Sequence, residues 1–133
     1  MALIQWGPMT AILLVDDHPV VRASVRDLLR DAGYDVAEAA NGPQALRLLE
    51  RSSFDLLLVD YLLPEMKGDT IARIAQARWP DLRVAFLSGY ADFLSLTGKA
   101  GDHTLISKPV SADDLCRGVA AALLPTAPIA RAA

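Results

Sequence analysis

The sequence predicts an α/β domain: a doubly wound, five-stranded parallel sheet with helices on both faces. Three observations predict it. Short aliphatic runs, above all Leu56-Leu57-Leu58-Val59 and Ala11-Ile12-Leu13-Leu14-Val15, show no polar alternation and read as strands buried on both faces. Segments with helical spacing follow these runs, giving β-α five times over. Several strand-like runs end abruptly in a residue capable of chemistry, as open α/β sheets do at their carboxyl edge.

The elements follow in order. Residues 1–10 carry Gly7-Pro8 and no usable period, so they read as an N-terminal extension. Ala11 to Val15 is the first strand, stopped by Asp16-Asp17. Pro19 suits a first helical turn, with Asp17 or His18 as the cap. Val21, Val25, Leu28, Leu29 and Ala32 then recur at helical spacing, and Gly33 ends the helix. Asp35 to Ala39 alternates and reads as a half-exposed edge strand. Asn41-Gly42-Pro43 opens a second helix with Ala45, Leu46, Leu48 and Leu49 on its apolar side. The central strand ends at Asp60, and Ile71, Ile74, Ala75 and Arg78 mark a third helix, closed by Trp79-Pro80.

Arg83 to Leu87 is the fourth strand, followed by Ser88-Gly89. Glycines at 89, 98 and 101 limit any helix after it to a short one, around Asp92 to Thr97. Thr104 to Ser107 is the fifth strand, ending in Lys108-Pro109. Ser111 with Asp114 resembles a capping box, and the helix it opens turns Leu115, Val119, Ala122 and Leu123 inward. Pro125 stops that helix, and residues 125–133 form a small-residue tail. The domain therefore runs from 11 to 124. Right-handed crossovers and five such units favour the flavodoxin-like strand order 2-1-3-4-5.

Composition narrows the function. The chain has 133 residues, enough for one core, and is 53% hydrophobic and 22% charged. A net charge of -3 gives no basic footprint for nucleic acid. No apolar run reaches the roughly 18 residues of a membrane span. The single cysteine, Cys116, excludes an internal disulfide and fits a reducing, cytoplasmic setting. On the apolar side of a helix it reads first as a small core residue, with a reactive thiol as the alternative.

Four strands end in Asp16-Asp17, Asp60, Ser88 and Lys108. In a parallel sheet these ends share one rim. Singly, each has a plain reading: a helix cap, a turn residue, a solvated lysine. Jointly they do not, because three converging carboxylates repel unless a cation sits among them. Few, hard oxygen ligands favour Mg²⁺ over Zn²⁺. A lysine and a hydroxyl aimed at the same place suit an arriving phosphoryl group, and the set describes phosphoryl transfer onto a carboxylate.

On Asp16-Asp17, Asp60 with Pro64 and Gly68, Ser88-Gly89 and Lys108-Pro109, the sequence resembles the receiver domain of two-component response regulators. The resemblance implies that Asp60 is the phosphoacceptor, supplied by a sensor histidine kinase or a histidine phosphotransfer protein. It implies Mg²⁺ held by Asp17, Asp60 and the main-chain carbonyl of Leu62, with Asp16 acting largely through water. Ser88 and Lys108 would grip the phosphoryl oxygens, and the Lys108-Pro109 bond is expected to be cis. The kinase is expected to dock on the start of the first helix, around His18, Pro19, Val20 and Val21 beside the rim, with Val20 pointing outward.

One departure stands out. Most receivers carry an aromatic three residues before the lysine; here that residue is Leu105. Phe86-Leu87-Ser88-Gly89-Tyr90 looks instead like a Phe-x-Thr/Ser-Gly-Tyr subfamily of stand-alone and hybrid-kinase receivers, which makes Tyr90 the switch candidate. The expected function is a phosphoryl-accepting signalling switch that turns over no substrate and is not an enzyme. It would act on an unknown downstream protein or as a homodimer, without direct contact to nucleic acid or membrane. Alternatives are a receiver fragment of a hybrid histidine kinase or of a DNA-binding response regulator. More remote is a Mg²⁺-dependent phosphatase with an aspartyl nucleophile, which usually needs a second acid where Leu62 stands.

Overall fold

The computed structural model describes residues 9–89 and 103–124. The strands are β1 (Ala11–Val15), β2 (Asp35–Ala39), β3 (Leu56–Asp60), β4 (Arg83–Ser88) and β5 (Thr104–Ser107). The helices are α1 (Pro19–Asp31), α2 (Gly42–Arg51), α3 (Gly68–Arg78) and α4 (Ala112–Leu123). All strand pairs are parallel, and the sheet order is β2-β1-β3-β4-β5, as the alternation predicts. The expected short helix at 92–97, Tyr90, residues 1–8 and the 125–133 tail lie outside the described residues.

The period-2 geometry of a strand divides the core in two. Leu13, Val15, Leu57, Val59, Val84 and Phe86 face one side and pack with Ala45 and Leu49 of α2 and Ile71, Ala72 and Ala75 of α3. Ile12, Leu14, Leu56, Leu58, Ala85 and Leu87 face the other, against Val25 and Leu29 of α1 and Leu115 and Val119 of α4. Both faces of β3 are therefore covered, and all five of its residues are buried. That is why its sequence carries no polar alternation.

Helix ends follow local chemistry. Asn41 Oδ1 accepts from the Gln44 amide at 2.9 Å, while Gln44 Oε1 accepts from the Ala40 amide, a reciprocal pair at the start of α2. Ser111 Oγ accepts from the Asp114 amide at 3.1 Å. The Asp114 carboxylate does not complete the expected box; it pairs with Arg117 one turn on. Gly33 has φ 98°, the left-handed conformation that ends α1.

Three expectations need correction. Val21 is not part of the buried stripe of α1: it is 37% exposed, beside Val20 at 82%. Helical geometry sets the stripe by Val25, Leu28 and Leu29, and the first turn of α1 projects past the edge of that packing. Ala32 is exposed for a similar reason at the other end, where the chain leaves the helix toward β2. β4 also runs one residue further than expected, through Ser88.

Candidate functional site

The site lies at the carboxyl rim of β1, β3, β4 and β5. β3 delivers Asp60, 4% exposed. The turn after β1 delivers Asp16, fully buried, and Asp17, partly exposed. The turn after β5 delivers Lys108, whose bond to Pro109 is cis. The Lys108 amide donates to the carbonyl of Ser88, which closes this turn against the end of β4.

Lys108 Nζ sits between two acids, donating to Asp16 Oδ2 at 2.9 Å and Asp60 Oδ2 at 2.8 Å. The remaining oxygens are partly satisfied by main chain: Asp16 Oδ1 accepts from the His18 amide at 2.9 Å, and Asp60 Oδ1 from the Leu62 amide at 3.2 Å. Asp17 Oδ1 is buried and has no hydrogen-bond partner among the described residues. One ligand atom from each of Asp16, Asp17, His18 and Asp60 lies within 4.8 Å of the others.

Two acids thus share one lysine, and a third, Asp17, stands beside them. Burial pushes the Asp60 carboxyl up; the Lys108 contact opposes this, and the Asp16 charge adds to it. For Lys108, burial acts to lower its pKa, but two carboxylate contacts outweigh it and hold the ammonium above its ordinary value. Both partners therefore shift upward: burial prevails at Asp60, and the two carboxylate contacts prevail at Lys108. An orphaned, buried carboxylate oxygen facing two further acids is a donor set that a hard divalent cation fits.

Placement of the other expected residues is mixed. Ser88 is fully buried at the end of β4, but its hydroxyl donates to the carbonyl of Gly89 at 3.0 Å, not toward the acids. The Leu62 side chain is 44% exposed. Gly68 matters through backbone closeness. A Cβ there would collide with the Asp60 carbonyl oxygen and meet Tyr61 Cα at 2.8 Å, so only glycine lets α3 begin so near the end of β3.

Sequence reasoning missed three neighbours. The sequence offers His18 as a helix cap and as part of the docking face, but not as a neighbour of the acids; its side chain caps nothing and its Nδ1 stands 3.2 Å from Asp17 Oδ1. Adjacency to two acids was the available signal. Tyr61, next to Asp60, packs edge-to-face on Phe86, which packs likewise on His103, each at 5.6 Å between ring centres. Arg22 donates to the Asp16 carbonyl at 2.7 Å. No short-range pattern signals either of these last two.

The model of the response regulator receiver domain matches residues 12–120, the whole span that carries this rim. The chain belongs to the response regulator receiver family. Among curated proteins, this receiver is 38% identical over 109 residues to the response regulator receiver protein CpdR of Brucella abortus, covering 80% of this chain and 91% of that protein. It is 39% identical over 83 residues to the sensor kinase CckA of the same organism, covering 61% of this chain but only 9% of that kinase. The receiver domain of the hybrid histidine kinase CckA superposes with a TM-score of 0.71 at 31% identity, covering 86% of this chain and 99% of that one. A response regulator from Chloroflexus aurantiacus gives 0.80 at 28% identity, covering 87% and 98%.

The receiver is thus a two-component signalling module of a kind found both alone and within larger kinases. Receivers bind Mg²⁺ at an acidic pocket and work with histidine kinases or phosphotransfer partners. Here the Asp/His cluster is able to hold a metal. No helix among the described residues is long and apolar enough to cross a membrane.

Proposed function

We propose that residues 11–124 form a phosphoryl-accepting switch in which Asp60 is the acceptor. One observation carries this reading: Lys108 bridges Asp16 and Asp60 while the neighbouring Asp17 keeps a buried oxygen unpartnered. A merely structural ion pair would satisfy its members. In the proposed step, an Asp60 carboxylate oxygen attacks the phosphorus of a phosphohistidine on a sensor kinase or phosphotransfer protein. The new O–P bond forms as the P–N bond breaks, and its electron pair leaves with the donor imidazole.

Lys108 then trades a carboxylate contact for a phosphoryl oxygen, keeping its charge where negative charge accumulates. The Ser88 hydroxyl turns from the Gly89 carbonyl to a second phosphoryl oxygen. Asp17, Asp60 and the Leu62 carbonyl would hold Mg²⁺ directly, with Asp16 acting through water. Bound there, the ion supplies charge neutralisation and orients the phosphoryl oxygens. Tyr90 is the switch candidate, in the place of an aromatic at Leu105, which is half-buried here. Val20, with its 82% exposure beside the rim, fits the docking face for the kinase. The receiver alters its own covalent state without turning over a substrate, and a cytoplasmic setting suits it.

The test is labelling with radioactive acetyl phosphate, with Mg²⁺ present. Wild type should incorporate label, and Asp60→Asn should incorporate none while keeping its circular dichroism spectrum. Label retained in Asp60→Asn would remove Asp60 as the acceptor.

A further inference from the structure

His18 occupies the N-cap position of α1 in an extended conformation, φ -92° and ψ 108°, but makes no side-chain cap hydrogen bond. Its main-chain amide is held by Asp16 Oδ1, which fixes where the residue sits. From there Nδ1 stands 3.2 Å from Asp17 Oδ1 and 3.5 Å from Asp16 Oδ1. Although 3.2 Å is short, Asp17 Oδ1 is not in hydrogen-bond geometry with that ring and remains unpartnered. Ligand atoms on one ion, at bonds of about 2.0–2.2 Å, fall roughly 3 Å apart when adjacent. The nitrogen and the orphaned oxygen are spaced as two neighbouring ligands of one cation.

We propose that His18 Nδ1 is a protein ligand of the rim's cation site, which makes the site mixed in character and receptive to imidazole-seeking ions such as Co²⁺ and Zn²⁺. This rests on the cation site of the proposed function and extends it. Three carboxylates alone suit Mg²⁺ or Mn²⁺, whereas an imidazole adds affinity chiefly for the later transition ions. The consequence is selectivity: removing the ring should cost Co²⁺ and Zn²⁺ far more than Mg²⁺. Because the ring is 65% exposed, it can turn toward the site without repacking the core.

The experiment is calorimetric titration of the full chain with MgCl₂, CoCl₂ and ZnCl₂, comparing wild type with His18→Ala and Asp17→Asn. His18→Ala should weaken Co²⁺ and Zn²⁺ about tenfold or more and Mg²⁺ less than about twofold. A visible absorption spectrum of the Co²⁺ form should change in the same variant. Asp17→Asn should weaken all three ions. If His18→Ala leaves the Co²⁺-to-Mg²⁺ affinity ratio and the Co²⁺ spectrum unchanged, the ligand role of His18 is overturned. If Asp17→Asn leaves every ion unaffected, the cation site itself is overturned, which is a separate failure.

Discussion

Arg22, Glu38 and Arg26 place two cations around one acid; Asp16, Lys108 and Asp60 are the inverse, two acids around one cation. The first cluster ties α1 to the edge strand β2, with Glu38 accepting from Arg22 at 3.0 Å and from Arg26 at 3.1 Å. Its side chains are 20–27% exposed, so water can reach it, and Arg26 also pairs with Asp27 at 2.9 Å, which offsets the surplus charge. The second is almost dry, with Asp16 at 0% and Asp60 at 6% side-chain exposure, and Asp17 adds a third acid. Glu38 is shifted down: burial opposes this, but the two guanidinium contacts prevail. Asp60 is shifted up. A cluster that binds structure together satisfies its minority charge; one that waits for a ligand leaves its majority charge short.

The largest way to break the contrast is Lys108→Ala. Removing one partner of a fully buried pair costs about 3–5 kcal/mol. With Lys108 18% exposed, about 3 kcal/mol is expected. Urea unfolding in EDTA should show this loss, and excess Mg²⁺ should recover much of it, because the cation replaces the lost charge. Equal loss with and without Mg²⁺ would mean that the rim is an ordinary structural pair.

Glu38→Gln comes next. It removes the acid from between two guanidinium groups, and partial exposure limits the cost to about 1 kcal/mol. Mg²⁺ should not change that figure in a thermal melt.

Asp60→Asn is the smallest effect and opposite in sign. Relieving acid crowding should stabilise the metal-free receiver by up to about 1 kcal/mol, raising Tm by about 2–6 °C. A fall in Tm would show that the Lys108 contact outweighs burial.

pH sharpens the same comparison. Glu38, depressed from 4.5, contributes stability that is present above that value and lost as pH falls through its lower folded value. Asp60, raised from 3.8, withdraws stability above its folded value. That loss is relieved as pH falls from the raised value toward 3.8. In EDTA, subtracting the urea-unfolding profile of Asp60→Asn from wild type should isolate a stability that rises on acidification, and the Glu38→Gln subtraction one that falls.

The sequence made the centre of the sheet legible because a strand covered on both faces needs a continuous apolar run, and β1 begins and ends where that run does. It made Asp16, Asp60 and Lys108 legible because parallel strands bring their carboxyl ends together. Contacts between elements distant in sequence were not legible. Nothing in the spacing of Arg22, Arg26 and Glu38 says that an edge strand will slide this acid between them. Val21 satisfied the helical period yet lies exposed, since periodicity marks a face but not how far along it the neighbours extend. His18 was hidden by its neighbour Pro19, which made a helix-start reading sufficient.

Gly68 has a mechanical consequence. Its amide donates to the Tyr61 carbonyl at 2.8 Å while its missing side chain leaves room for the Asp60 carbonyl, so the loop from 61 to 67 is pinched shut at its neck. Asp60 and the first turn of α3 are thereby riveted together. On the proposed function, a phosphoryl group on Asp60 would not be accommodated by prising α3 from the strand without tearing that rivet. On that proposal, adjustment falls on the other side, in the Ser88 and Lys108 turns, where a hydroxyl and an ammonium can change partners. The rim has one fixed jaw, and a single hydrogen atom at position 68 is what fixes it.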